Sequence, residues 1–173
     1  MSFQKKISLN FIDMKKIAVF PGSFDPFTKG HESIVLRSMD LFDEIWVAIG
    51  NNPGKHCMFS LEQRMQWCKE VFKDYPKVKV ASYSDLTINF CHRVGAQYII
   101  RGLRGGNDFE YESMIYHAGK YISPDKPVET VFLITENKYE GISSSIVREI
   151  FKNGGDYSEL VPEAVKLYSD ECI

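Results

Sequence analysis

The sequence has no apolar run near the roughly 18 residues that a membrane-spanning helix needs. Its formal net charge of −2 over 173 residues supplies no basic field of the kind that attracts nucleic acid, so any anion binding must be local. Cysteine is sparse. Cys57, Cys68, Cys91 and Cys172 form no C-x-x-C pair, the histidines do not cluster with them, and no metal-ligand spacing results. A reduced, cytoplasmic protein is the expected setting. Also missing are G-x-G-x-x-G and the P-loop spacing, the commonest glycine-rich phosphate signatures. Residues 1–13 lack a signal-peptide core, because polar residues interrupt Ile7, Leu9, Phe11 and Ile12. This leader is expected to be disordered or non-native, with one domain over 14–173.

What is present suits a single globular domain: 44% hydrophobic and 25% charged residues, in a chain long enough for a substantial core. Strand-like and helix-like segments alternate. Strands are predicted at 15–20, Glu44–Gly50, Val78–Tyr83, 97–101 and 129–135. Helices are predicted at 30–42, from the Ser60–Gln63 capping box to about 75, at 85–94 closed by Gly95, and at 107–121 capped by Asn107 or Asp108. Shorter ones are predicted at Ser144–Lys152 and 158–170. Near-continuous apolar strands between helices predict a five-stranded parallel sheet covered on both faces. The loops after the first, second, fourth and fifth strands would then meet in one cleft at the carboxyl ends.

The first of those loops, Gly22-Ser23-Phe24-Asp25-Pro26-Phe27-Thr28-Lys29-Gly30-His31, joins a strand to a helix. A helix N-terminus carries unpaired N–H groups and partial positive charge, so it attracts anions. His31 in the first turn adds a directional donor. After the fourth strand, Arg101-Gly102-Leu103-Arg104 places two permanently charged forks three residues apart, beside Gly105 and Gly106; arginine suits phosphate for this reason. Lys55, in the loop after the second strand, is either a solvated charge or a phosphate ligand. Ser143-Ser144-Ser145 offers more hydroxyls at a helix start than a cap uses. Glu112 could accept from a ribose or an amino group. The stretch 85–90 could cap a helix or line an apolar slot.

These strings resemble the adenylyl- and cytidylyltransferase superfamily, in which Thr28-Lys29-Gly30-His31 would be the (H/T)-x-G-H motif. Taken in order, G-S-F-D-P-F-T-K-G-H, R-G-L-R, D-F-E-Y-E and I-S-S-S resemble the bacterial phosphopantetheine adenylyltransferases, from about residue 14 to the end. The resemblance implies a Rossmann-like fold and reversible transfer of an adenylyl group from ATP to 4′-phosphopantetheine. The products would be dephospho-coenzyme A and pyrophosphate, with Mg²⁺ as cofactor. By the same resemblance Ser23, His31, Lys55 and Arg104 would be catalytic, and Ser23, Lys55, Thr87 and Arg101 would bind phosphopantetheine. ATP would meet Ser23, Phe24, His31, Gly102, Leu103, Arg104 and Glu112, and the segment Tyr139, Glu140, Gly141, Ile142, Ser143, Ser144 and Ser145. No protein metal ligand is implied. A homohexamer is implied, with coenzyme A as feedback inhibitor and neither nucleic acid nor membrane as partner. Two alternatives stand beside this reading: a related transferase using CTP or another acceptor, and a nucleotide sensor without turnover.

Overall fold

The computed structural model describes residues 15–52, 54 and 56–167; the leader at 1–13, Lys55 and the end of the expected last helix, 168–170, lie outside the described residues. Five strands form one all-parallel sheet: β1 (Ile17–Gly22), β2 (Glu44–Gly50), β3 (Val78–Tyr83), β4 (Tyr98–Leu103) and β5 (Glu129–Ile134). Their order is β3-β2-β1-β4-β5. The chain thus builds outward from β1 through β2 to β3, then returns to the other side of β1 with β4. That reversal between β1 and β4 opens a crevice at their carboxyl ends. The architecture is the expected single α/β domain of Rossmann-like form.

Strand periodicity assigns the two faces. Ala18 and Phe20 of β1 and Ile45, Val47 and Ile49 of β2 point into the larger core cluster. There they meet Ile34 and Val35 of α1 (Lys29–Ser38), Trp67 and Cys68 of α2 (Leu61–Val71), and Val147. Val19 and Ala48 point the other way, onto Ile88, Phe90 and Cys91 of α3 (Thr87–Val94). Both faces are therefore covered, which is why β1 and β2 read as continuous apolar runs. Among the described residues the remaining α-helices are α4 (Gly106–Ile122) and α5 (Ser144–Lys152), with a short 3-10 turn at Asn137–Tyr139.

Several predicted boundaries move. The α2 start is as expected: Ser60 and Gln63 exchange backbone–side-chain hydrogen bonds at 2.8 and 3.2 Å. Gly95 does close α3, at φ 71° in the left-handed region that glycine enters without a Cβ clash. Helix α4, by contrast, is capped by Gly105, which has no side chain to bond with, and Asp108 instead accepts from the Arg104 N–H. Strand β4 runs past Arg101 to Leu103, so Gly102 and Leu103 belong to the strand and not to a turn. Gly102 serves packing: a Cβ there would lie 3.1 Å from Ile34 Cγ1.

No helix forms over 158–167. Those residues make turns, with Val161, Val165 and Leu167 buried in the core. Pro162 has no N–H to give, and the Tyr157 hydroxyl instead brackets Leu167, accepting from its N–H at 3.0 Å and donating to its carbonyl at 3.1 Å.

Candidate active site

The β1–α1 loop is held by one buried carboxylate. Asp25 is 4% exposed and accepts the Met58 and Phe59 N–H groups, each at 2.9 Å. Arg148 of α5 lies 3.6 Å from the same carboxylate and also donates to the Asp25 carbonyl. The loops before α1 and α2 and the start of α5 are thereby drawn to a single point. Within the loop Phe24 takes φ 49°, and its ring folds back over Gly22, where a Cβ would lie 2.6 Å from it. Any side chain at that position would collide with the ring.

Helix α1 begins with a reciprocal cap. Thr28 accepts from the His31 N–H at 3.4 Å, and the Thr28 N–H donates to His31 Nδ1 at 3.1 Å. A backbone N–H can only donate, so Nδ1 is an acceptor and the neutral ring carries its proton on Nε2. Phe20, Phe24 and Phe27 surround the imidazole with centroids 5.2–6.2 Å away. Burial, helped by the charge of Arg104, lowers its pKa to about 4. His31 is thus a neutral, oriented donor near pH 7.

Above this ring lies a cleft of about 450 Å³. It sits at the carboxyl ends of β1 and β4, at the crevice that the strand order opens. Ser23, Phe24, His31, Arg101, Gly102, Arg104, Glu112, Tyr139, Ile142, Ser143, Ser144 and Ser145 all line it, so most of the sequence-predicted residues come together. Four do not line it. Leu103 is in β4 opposite Ile134, Glu140 faces a neighbouring shallow hollow, and Gly141 borders open space. Thr87 starts α3 with its hydroxyl 2.9 Å from that of Tyr83, at the carboxyl end of β3.

Helix α4 steers both arginines. Glu112 pairs with Arg101 Nε at 3.1 Å and Asp108 with Arg104 Nε at 3.2 Å. The two carboxylates are four residues apart and so share a helix face. Each takes the inner edge of a guanidinium, and among the described residues the Nη groups of Arg104 meet no acceptor. Asp108 was not singled out as a site residue; its i,i+4 spacing from Arg104 was the available signal.

The three serines divide their labour. Ser143 caps α5 by accepting from the Ile146 N–H, Ser144 donates to the Pro26 carbonyl at 2.8 Å, and Ser145 accepts from Arg148 at 3.1 Å. The Ser144 hydroxyl ties the start of α5 to the β1 loop, while those of Ser143 and Ser145 are used within α5. The Ser144 and Ser145 N–H groups, like that of Gly30 in α1, have no acceptor among the described residues. Two helix N-termini therefore open into one cleft beside two arginines and the His31 Nε2–H, an arrangement built to bind a polyanion. Among the described residues no three His, Cys, Asp or Glu side chains form a metal-binding group, and the carboxylates of Asp25, Asp108 and Glu112 are already engaged.

Comparison with known proteins agrees with this geometry. Residues 19–150 match the cytidylyltransferase-like family, and the chain belongs to it. More narrowly, it is a member of the phosphopantetheine adenylyltransferases. The Flavobacterium psychrophilum phosphopantetheine adenylyltransferase is 55% identical over 150 residues, covering 87% of this chain and 97% of the relative. That of Flavobacterium johnsoniae is 51% identical over the same shares. That of Ralstonia pickettii is 44% identical over 90% of this chain and 92% of its own.

Proposed function

We propose that the chain moves the adenylyl group of ATP reversibly onto 4′-phosphopantetheine, giving dephospho-coenzyme A and pyrophosphate, the penultimate step of coenzyme A synthesis. The observation that carries this reading is the meeting of two open helix N-termini, the neutral His31 donor and two tethered arginines in one cleft. A phosphate oxygen of phosphopantetheine attacks the α-phosphorus of ATP, a new P–O bond forms, and the bond to the β-phosphate bridging oxygen breaks. The electron pair leaves with pyrophosphate. The attacking monoester is already anionic near pH 7, so no protein base or nucleophile is needed. Positioning and charge stabilisation supply the catalysis.

In this proposal His31 Nε2–H donates to the α-phosphate as charge builds there. Arg104, with Lys55, stabilises the phosphates in transfer, and Lys55 bridges them. Ser23 meets both substrates, and Phe24 adjoins ATP. Arg101 and Thr87 hold phosphopantetheine, with Arg101 at its phosphate. Gly102, Glu112, Tyr139 and the segment from Ile142 to Ser145 enclose the nucleotide, with Leu103, Glu140 and Gly141 as their backbone neighbours. For the residues that line the cleft, that lining supports these roles; for Thr87 it is its place at the carboxyl end of β3 in the same sheet, and for Lys55, Leu103, Glu140 and Gly141 it is the resemblance to the family alone. Among the described residues the engaged carboxylates form no magnesium site, so Mg²⁺ would enter bound to the ATP phosphates and shield their charge.

A homohexamer in the cytoplasm completes the proposal. Phe109, Tyr111, Met114 and Ile115 are exposed on α4, which favours self-association. Coenzyme A carries the same pantetheine arm as the acceptor and so competes for its site. The test is pyrophosphate release with ATP or CTP, each with and without 4′-phosphopantetheine. Release that needs both ATP and phosphopantetheine is expected. Equal release with CTP would overturn the base assignment, and binding without release would leave a sensor.

A further inference from the structure

Arg64, in the first turn of α2, is 3% exposed, yet among the described residues no carboxylate pairs with it. Its guanidinium is held by backbone carbonyls alone. Nε donates to Phe59 at 3.1 Å, and Nη1 donates to Ser23 at 2.7 Å and more distantly to Gly50 at 3.5 Å. These carbonyls belong to the loop after β1, the end of β2 and the loop before α2. A buried cation without a counter-ion is costly to keep, so its contacts call for an explanation beyond stability.

The shortest contact falls on the peptide that leads into the strained residue. In a trans peptide the carbonyl and the following N–H point in opposite directions, so fixing the Ser23 carbonyl also fixes the Phe24 N–H. Turning that peptide over would return Phe24 from φ 49° to the region that a bulky side chain prefers. The same turn would swing the Ser23 carbonyl away from Arg64 and exchange the donor and acceptor directions at the edge of the cleft. We propose that Arg64 is a positioning residue that clamps the Ser23–Phe24 peptide in its strained orientation and so keeps Ser23 and Phe24 aligned for nucleotidyl transfer. The assignment rests on the transfer reaction above. Arg64 touches no substrate in it; it acts through the loop.

The test uses the protein with Arg64→Met, which removes all three hydrogen bonds, and Arg64→Lys, which keeps the charge and at most part of the fork. For each, kcat, KM for ATP, and the φ of Phe24 in crystals are measured. The Met variant is expected to lose roughly 10- to 100-fold in kcat, the scale of a displaced reacting group, with KM moved far less. Its Phe24 should relax to negative φ, and the Lys variant should fall between it and the parent. A folded variant with the parent kcat would overturn the proposal, as would a lost kcat with the Ser23–Phe24 peptide unmoved. Should the Met variant not fold, the Lys variant is read by the same two criteria. If the parent protein itself transfers nothing, the reaction assignment fails, while the Phe24 conformation still decides the clamp.

Discussion

The Thr28 N–H donates to Nδ1 of His31 at 3.1 Å, and this bond decides which imidazole nitrogen carries the proton. The cap that starts α1 thereby also sets the chemistry of the cleft. With Nδ1 occupied as acceptor and the ring packed among phenylalanines, His31 stays neutral and offers its Nε2–H. Local helix-start physics and the phosphate donor are one arrangement.

His31→Ala should therefore lose transfer with little loss of fold. Removing one oriented donor to a developing charge costs on the order of 10²–10³ in kcat. Steady-state kinetics beside a urea melt would separate the two effects. A near-parent rate would remove His31 from the mechanism.

The same residue predicts a pH dependence of stability. Unfolded, the imidazole takes up its proton near its ordinary 6.5; folded, it does so only near 4. Between these values the unfolded chain binds more protons, so stability falls as the pH drops from 6.5 to 4 and this contribution then levels off. Above 6.5 it is fully present and flat. The whole effect is at most roughly 3 kcal/mol. Urea midpoints at pH 7.5 and 4.5 for the parent and His31→Asn should show the larger drop in the parent; equal drops would contradict the neutral ring.

Asp25→Asn changes almost no volume but should destabilise the protein by about 2 kcal/mol. The carboxylate accepts two N–H groups, whereas an amide has one oxygen and would turn its NH₂ toward the other donor. Loss of the Arg148 pairing adds to the cost. Thermal unfolding checks this, and an unchanged melting temperature would show that the loop does not depend on the knot.

Gly22→Ala would put a methyl 2.6 Å from the Phe24 ring. That ring is packed on Phe20 and Phe27 with centroids 5.4 and 5.2 Å away, so it cannot move aside freely. A loss of about 1–3 kcal/mol is expected from overpacking. Weakened ATP binding should accompany it, measurable by calorimetry on the folded variant.

Much of this was legible in the chain. The apolar runs at Ala18–Phe20 and Ile45–Ile49 announce strands buried on both faces, and Ser60 with Gln63 announces the start of α2. The segment 158–167 misled because Val161 and Val165 are four residues apart, as on a helix face, yet Pro162 and the Tyr157 bracket favour turns. The surplus of serine hydroxyls at α5 was visible. The Ser145–Arg148 contact follows from i,i+3 spacing within α5, but that Ser144 would tie α5 to Pro26 was not visible, since that partner is set by tertiary packing. Arg64 was hidden for the same reason: its acceptors are carbonyls of residues 23, 50 and 59, and backbone groups leave no mark in a sequence.

The central claim is tested most directly in reverse. The protein is supplied with dephospho-coenzyme A, pyrophosphate and Mg²⁺, and ATP formation is followed. The account predicts ATP and 4′-phosphopantetheine in equal amounts, dependent on both substrates and greatly reduced in His31→Ala. No ATP from a folded protein that binds dephospho-coenzyme A would contradict it.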